Sequence, residues 1–167
     1  DAPATGRLPM KVLHVYKTYL PEDNTGVPTV IRTLAEGLAD DGVESHVMAV
    51  YDDARAAPAH LGRHHLHPMQ SSLHLASSSF SLQAARAFGR LVAPFDLVTY
   101  HFPWPFGDLL YFLHGRQKPS VVVYHSDIVR QRRLLHAYKP LMNAFLRRAD
   151  AIVATSPNYA RTSEALL

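Results

Sequence analysis

The sequence contains no cysteine, and no apolar run in it approaches the roughly 18 residues that a membrane-spanning helix needs. The first absence excludes disulfide bonds and thiolate chemistry. The second argues against a transmembrane helix. Residues 1–9 have neither a basic segment nor an apolar segment, so we expect no secretory signal there and treat them as a tail outside the fold.

Two nucleotide-binding fingerprints are also absent. Neither G-x-G-x-x-G nor GxxxxGK[ST] occurs, which leaves a nicotinamide dehydrogenase and a P-loop site without support. A phosphoacceptor receiver domain needs acidic residues after its first strand, whereas the first strand predicted here ends in Tyr16, Lys17 and Thr18. Asp52 and Asp53 follow the second predicted strand, and without the glycine fingerprint we interpret them as a turn.

The composition indicates one soluble globular domain, which we place at residues 10–167. The chain has 167 residues, of which 47% are hydrophobic and 19% are charged. The net charge of +3 is mildly basic and favours an anionic ligand or surface over nucleic acid.

Apolar runs typical of strands alternate with segments of helical periodicity. Five strands are predicted at 11–16, 44–51, 96–101, 120–125 and 150–155, and helices at 28–42, 80–92, 106–116, 130–149 and from 156 onward. Residues 52–79 are predicted to be irregular, with a short strand near His64 to His67 left open. This alternation predicts an α/β domain with a doubly wound, mostly parallel sheet of the Rossmann-like kind.

Polar side chains stand where the predicted strands end. His101 ends one strand and His125 ends the next, with Ser126 and Asp127 directly after it. In parallel sheets of this kind, ligands bind beyond the carboxyl ends of the strands. A single histidine in such a place is usually structural, but two favour a functional site. Ser156 ends another strand, and it fits a helix N-cap equally well.

Two loops add candidate contacts. Gly26 precedes a predicted helix, where a glycine permits close backbone approach and the helix N-terminus favours an anion. The segment "HFPWPF" carries Trp104, which either stacks on a sugar or packs within its own loop.

Basic residues cluster around the start of the long helix at 130–149. Arg130 lies five residues after His125, so it is a candidate for binding a phosphate at the same cleft. The remaining basic residues of this helix form either a solvated face or a surface that meets an anionic membrane or partner.

Four histidines lie close together at His60, His64, His65 and His67. A metal site needs three ligands in a defined geometry. Because the segment is predicted to be irregular and has no paired carboxylate, we expect no metal site here.

The order of motifs resembles the amino-terminal half of a family 4 glycosyltransferase of the GT-B fold. The motifs are "TGV" before the first helix, "HFP" and "HSD" at two strand ends, and above all the segment "VVVYHSDIVRQRRLLHAYKPLMNAFLRRADAIVATSPNY". The resemblance covers residues 10–167 and is strongest to bacterial mannosyl- and related hexosyltransferases that build surface polysaccharide or glycolipid.

The resemblance implies an acceptor-binding domain that works with a second, donor-binding domain absent from this chain. By this resemblance, His125 corresponds to the family's active-site histidine, which contacts the donor sugar. Gly26 approaches the donor diphosphate, with Thr25 in place of the first of two adjacent glycines. Arg130 matches a basic position that binds the acceptor phosphate in members with phosphoglycolipid acceptors, and Ser126 matches a small hydroxyl residue beside the histidine. We add His101, Tyr16 and Lys17 as acceptor-side candidates from their positions at strand ends.

The function expected from the resemblance is retaining transfer of a hexose from a nucleotide-diphosphate sugar to a glycan or lipid-linked acceptor. GDP-mannose is the first expectation for the donor, with no metal or other cofactor and no nucleic-acid partner. We expect a cytoplasmic location, peripheral on the inner face of the plasma membrane, and an isolated fragment without activity. The alternative is a non-catalytic Rossmann-like module that binds an anionic sugar or lipid.

Overall fold

The structure is a computed structural model that describes residues 8–75, 78–127, 132–163 and 165–166, without the side chains of residues 132–135. Within these ranges the strands are Met10–Tyr16 (β1), Val43–Tyr51 (β2), His60–Leu61 (β3), His64–Gln70 (β4), Leu73–Leu75 (β5), Ser78–Phe80 (β6), Leu97–Phe102 (β7), Ser120–Tyr124 (β8) and Ala151–Ala154 (β9). The α-helices are Gly26–Leu38 (α1), Leu82–Val92 (α2), Pro105–Leu110 (α3), Arg132–Arg148 (α4) and Pro157–Thr162 (α5).

Seven of the strands in the described part of the chain form one sheet in the order β3-β4-β2-β1-β7-β8-β9. Every neighbouring pair in it is parallel except β3 and β4, and β5 pairs with β6 in a separate antiparallel hairpin. The order runs outward in both directions from β1, which confirms the predicted doubly wound, mostly parallel α/β sheet.

Helices cover both faces of this sheet, and successive side chains of each strand point to opposite faces. On one face, which we call the α1 face, Glu36 of α1 bonds His64 of β4. On the other, which we call the α4 face, Phe88 of α2 and Phe145 of α4 pack against Tyr100 of β7. His101, the next residue along β7, therefore points to the α1 face.

The prediction of an irregular segment at residues 52–79 is wrong after residue 59, and the short strand left open near His64 to His67 is present as β4. β3 and β4 join the edge of the main sheet, and β5 and β6 form the hairpin. The physical reason is that histidines occupy positions on both sides of β4, so no alternation of polar and apolar residues marks the strand: His64 and Leu66 are buried, whereas His65 and His67 are half-buried. The turn expected at Asp52 and Asp53 is present.

Burial and hydrogen bonds decide between the alternatives left open for Trp104 and Ser156. Trp104 is 1% exposed and its Nε1 donates to the carbonyl of Ser79 at 3.0 Å, so it belongs to a packed loop and cannot stack on a sugar in this arrangement. Ser156 accepts a hydrogen bond from the backbone N–H of Asn158 at 3.1 Å and therefore caps α5.

Among the described residues, no helix combines the length and the apolar character that crossing a bilayer requires.

Candidate active site at the carboxyl edge of the sheet

Three histidines on neighbouring strands form a diagonal row across the α1 face. His14 of β1 pairs in register with Thr99 of β7, so His101 stands two residues further along; His101 in turn pairs with Val123, so His125 stands two residues further again. At about 3.3 Å per residue, each step advances roughly 7 Å toward the carboxyl edge. We call His14, His101 and His125 the histidine row, which leads from the sheet interior to the strand ends where ligands bind in this fold.

The rings in the row are joined by direct hydrogen bonds. Nδ1 of His14 lies 3.1 Å from Nε2 of His101, and Nδ1 of His101 lies 2.9 Å from Nε2 of His125. The backbone N–H of His125 donates to the carbonyl of Phe102 at 3.1 Å, which extends the β7–β8 pairing by one residue and fixes where the last ring stands.

Burial keeps this row uncharged at neutral pH. It lowers the pKa of His14 from 6.5 to about 4, with a smaller contribution from His64. Burial also lowers the pKa of His125 to about 4 and brings the pKa of His101 well below its usual value, where His14 and His125 add to the effect.

The hydrogen bonds and burial together favour one set of tautomers. Nε2 of His14 is buried and has no hydrogen-bond partner among the described residues. A buried N–H without a partner is rarer than a buried acceptor without one, so the proton of His14 belongs on Nδ1, which donates to His101. His101 then carries its proton on Nδ1 and donates to Nε2 of His125. Nδ1 of His125 is left as an N–H donor.

Tyr16 and Lys17 lie beside the row at the end of β1. The ring of Tyr16 contacts the ring of His101 edge-on, with centroids 6.3 Å apart, and burial raises the pKa of its hydroxyl to about 12. The ammonium of Lys17 lies 5.9 Å from the centre of the Tyr16 ring, and burial lowers its pKa. A neutral phenol and a cation therefore stand next to the row.

Gly26 and Thr25 lie in the loop after β1, at the same carboxyl edge of the sheet. Gly26 is the first residue of α1 with φ of 47°, in the left-handed region that favours glycine, and a Cβ added there would meet no atom of the described residues within 4 Å. The hydroxyl and the backbone N–H of Thr25 both donate to Asp23, at 2.8 Å and 3.0 Å. The carboxylate thereby fixes the turn that leads into the exposed glycine.

The residues after β8 are tied to the end of the chain. Tyr124 and Ser163 each donate to Oδ1 of Asp127 at 2.6 Å, and their own oxygens lie 2.9 Å apart. Ser126 stands between the last ring of the row and this carboxylate. Arg130, predicted to bind phosphate, lies outside the described residues.

The structure thus brings His101, His125 and Tyr16 together, as their positions at strand ends led us to expect. Direct contact between His101 and an acceptor stays a prediction, and both of its ring nitrogens are engaged by other imidazoles. The sequence reasoning missed His14. Its one signal was a polar residue inside the otherwise apolar run "KVLHVY".

The sequence profile described as Glycosyltransferase Family 4 matches residues 24–166 of this chain. The chain belongs to glycosyltransferase family 4. Its relatives in this family include the D-rhamnosyltransferase WbpZ of Pseudomonas aeruginosa, which is 50% identical over 157 residues, covering 94% of this chain and 41% of that protein. The O-antigen chain mannosyltransferase C of Escherichia coli is 40% identical over 157 residues, covering 94% and 42%. This family 4 chain therefore spans about two fifths of the length of these relatives.

Solved structures support the fold. A sucrose-phosphate synthase from Thermosynechococcus elongatus superposes with a TM-score of 0.61 at 16% identity, covering 92% of this chain and 82% of that one. MurG of Acinetobacter baumannii superposes with a TM-score of 0.51 at 12% identity, covering 90% and 42%. Together with the mostly parallel sheet, these likenesses confirm the predicted half of a GT-B fold for the family 4 chain.

Proposed function

We propose that the natural protein containing this chain transfers a hexose from a nucleotide-diphosphate sugar to a glycan or lipid-linked acceptor, and that this chain is its acceptor-side domain. The histidine row is the observation that carries the proposal, because it delivers an uncharged imidazole to the carboxyl edge of the sheet. The family membership and the names of the two relatives support it.

The chemistry of glycosyl transfer suits a neutral His125. The bond between the anomeric carbon and the diphosphate oxygen breaks while a bond from that carbon to the acceptor oxygen forms, and the carbon gains positive charge on the way. An imidazolium beside it would oppose that charge, whereas a neutral ring with Nδ1–H donates to a sugar hydroxyl without repulsion. The low pKa of His125 keeps the ring neutral.

The other groups at this edge fit the remaining charges. Gly26 lets the backbone at the start of α1 approach the diphosphate that departs, and the helix N-terminus favours that anion. We propose retention of configuration, with the departing phosphate oxygen taking the proton of the acceptor hydroxyl. His125 therefore needs no role as a base. Ser126, Tyr16 and Lys17 are proposed to face the acceptor.

The donor is proposed to be GDP-mannose, bound largely by a second domain outside this chain. The isolated chain is then expected to be inactive, and no metal is needed for transfer. One relative is named a mannosyltransferase and the other a D-rhamnosyltransferase, so a nucleotide-activated D-rhamnose is the second donor to compare with GDP-mannose.

Attachment to the cytoplasmic face of the plasma membrane is proposed from the basic character of α4. Arg147 and Arg148 at its carboxyl end are exposed. Exposed arginines attract anionic lipid headgroups, each contributing about 1 kcal/mol.

The test is sugar transfer by the full-length natural protein and its His125→Ala variant. GDP-mannose and GDP-D-rhamnose are each supplied as donor with a membrane extract as acceptor source, and product is followed by incorporation of labelled sugar. We expect the variant to lose at least about tenfold in turnover, or about 1.4 kcal/mol in the barrier. The isolated 167-residue chain should give no incorporation.

The control is His114→Ala, which removes an exposed histidine whose Nε2 contacts only the carbonyl of Ala85 among the described residues. It should retain wild-type turnover. If His125→Ala folds normally and transfers at the wild-type rate, the catalytic site has been misplaced. If neither donor is used while an anionic glycan or lipid still binds, the non-catalytic module is the correct function.

A further inference from the structure

A second group of histidines lies at the opposite end of the sheet, on the α4 face. Its members come from the starts of β2 and β4 and from the short edge strand β3: Glu44, His46, His60, His65 and His67. His46 pairs in register with His65, which also pairs with His60. Since side chains alternate along strands, these residues share one face. We call them the histidine–glutamate cluster.

The two observations that argued against a metal here do not hold in the structure. The segment containing His65 and His67 is a regular strand, and parallel pairing with β2 brings in a carboxylate from about 20 residues earlier in the chain. His64 points to the other face, where it bonds Glu36 and Tyr19, so it takes no part in the cluster.

The potential ligand atoms already lie close together. Oε1 of Glu44 is 2.8 Å from Nε2 of His46, and one ligand atom from each of Glu44, His46 and His65 lies within 4.8 Å of the others. The rings of His46 and His65 stack with centroids 4.4 Å apart, and the ring of His60 lies 4.4 Å from that of His65. A tetrahedral zinc ion with bonds near 2.1 Å holds its ligand atoms roughly 3.4 Å apart. Side-chain movements of about 1 Å are enough to reach that spacing.

We propose that Glu44, His46 and His65 form a site for Zn²⁺, with His60 or water as the fourth ligand. Imidazole nitrogens with one carboxylate oxygen are a ligand set that zinc prefers, and nickel and copper share the preference for imidazole. The ion would tie β2 to β4 near the edge of the sheet. The site lies on the opposite face of the sheet from the histidine row, whose first member His14 pairs in register with Val47, the residue after His46. His46 also lies five residues, or about 16 Å, from the carboxyl end of β2, the edge of the sheet that His125 reaches.

A supporting contact orients the central ligand. Nδ1 of His46 lies 2.9 Å from Nε2 of His67, and with zinc on Nε2 of His46 this Nδ1 carries the proton and donates to His67. Histidine ligands of zinc commonly donate their second N–H to a fixed acceptor in this way. Phe95 packs edge-on against both His46 and His67, which holds the two rings in place.

One cation competes for the carboxylate. Nζ of Lys11 lies 3.5 Å from Oε1 of Glu44. The side chain of Lys11 is 43% exposed, so it can turn to water when an ion binds. Lys11→Gln is therefore expected to tighten zinc binding, which a site that excludes Glu44 would not show.

The test is isothermal titration of the metal-free, tag-free 167-residue chain with zinc chloride. We expect one saturable site. His46→Gln and His65→Gln should each weaken it at least tenfold, and His67→Phe, which removes only the supporting acceptor, by about 10- to 100-fold. Glu44→Gln, at a part-exposed position that does not threaten folding, should also weaken it.

The matched control is His74→Gln. Nε2 of His74 in β5 lies 2.6 Å from Oδ1 of Asp52, which follows the carboxyl end of β2, so this exposed histidine–carboxylate pair stands at the other end of β2 from the cluster. Its loss should leave zinc affinity unchanged. X-ray absorption of the bound ion should give nitrogen and oxygen neighbours at about 2.0–2.2 Å. The proposal is overturned if the wild-type chain shows no saturable site, or if His74→Gln weakens binding as much as His65→Gln does.

Discussion

Mild acid should destabilise this fold through the buried end of the histidine row. His14 is 2% exposed, and burial lowers its pKa from 6.5 to about 4. At pH 5 the folded state therefore keeps His14 neutral, whereas the unfolded chain protonates it. The unfolded state binds more protons across this range, so the free energy of unfolding falls as pH falls from about 6.5 toward 4.

The size of the effect follows from the two pKa values. Integrated from pH 7 to pH 5, one imidazole with pKa 6.5 unfolded and about 4 folded removes about 2 kcal/mol from the free energy of unfolding. His125 acts in the same direction, and the buried carboxyl of Asp108, with its pKa raised well above the usual value, acts in the opposite one. The contribution of His14 alone to the pH dependence of the free energy of unfolding is therefore obtained by comparing the wild-type chain with a His14 variant.

The assay is urea unfolding at pH 7 and at pH 5 for the wild-type chain, His14→Asn and His74→Gln. Asparagine keeps an N–H donor near the position of Nδ1 and removes the titrating ring. From pH 7 to pH 5, we expect the free energy of unfolding to fall by about 2 kcal/mol less in His14→Asn than in the wild-type chain. This difference does not depend on how stable the variant is at pH 7. His74→Gln should lose as much as wild type. An equal pH loss in His14→Asn would refute the assignment of a buried neutral histidine.

Two further perturbations test the loop before α1 and the basic helix. Gly26→Ala should lower the free energy of unfolding in urea by about 1–2 kcal/mol, because φ is 47° there. Gly37→Ala, inside α1, should raise it by about 0.5–1 kcal/mol. An equal effect of the two substitutions would contradict the left-handed backbone at Gly26. Co-sedimentation with vesicles should show a preference for anionic over neutral lipid that falls about fivefold for each of Arg147→Gln and Arg148→Gln, at about 1 kcal/mol per arginine. Equal sedimentation with both lipids would rule out the membrane proposal.

The sequence predicted the central strands because they are short continuous apolar runs, and the long helices because their apolar residues recur with a period of 3.6. β1, β2, β7, β8 and β9 lie within a residue or two of the expected positions. β4 was hidden because histidines occupy both its buried and its half-buried positions, and a polar residue on the buried side breaks the expected alternation.

Site prediction failed where it depended on strand register. His101 and His125 could be found because each stands at the end of an apolar run. His14 lies in the interior of its strand, and only the pairing of β1 with β7 shows that it is the first member of a row. The same limit hid Glu44 and His46, since their nearness to His65 requires a β2–β4 pairing that no local pattern predicts.

The hydrogen bonds that Tyr124 and Ser163 donate to Asp127 affect how a ligand would bind at Ser126. They anchor this short segment on both sides before any ligand arrives, one contact within β8 and the other beyond α5. Ordering one flexible residue costs about 1–2 kcal/mol in backbone entropy. Because residues 125–127 are already ordered in the folded protein, a sugar that contacts them would lose less of its interaction energy to backbone ordering. A substitution at Ser163 would remove part of this anchoring and weaken binding, although Ser163 is remote from Ser126 in sequence.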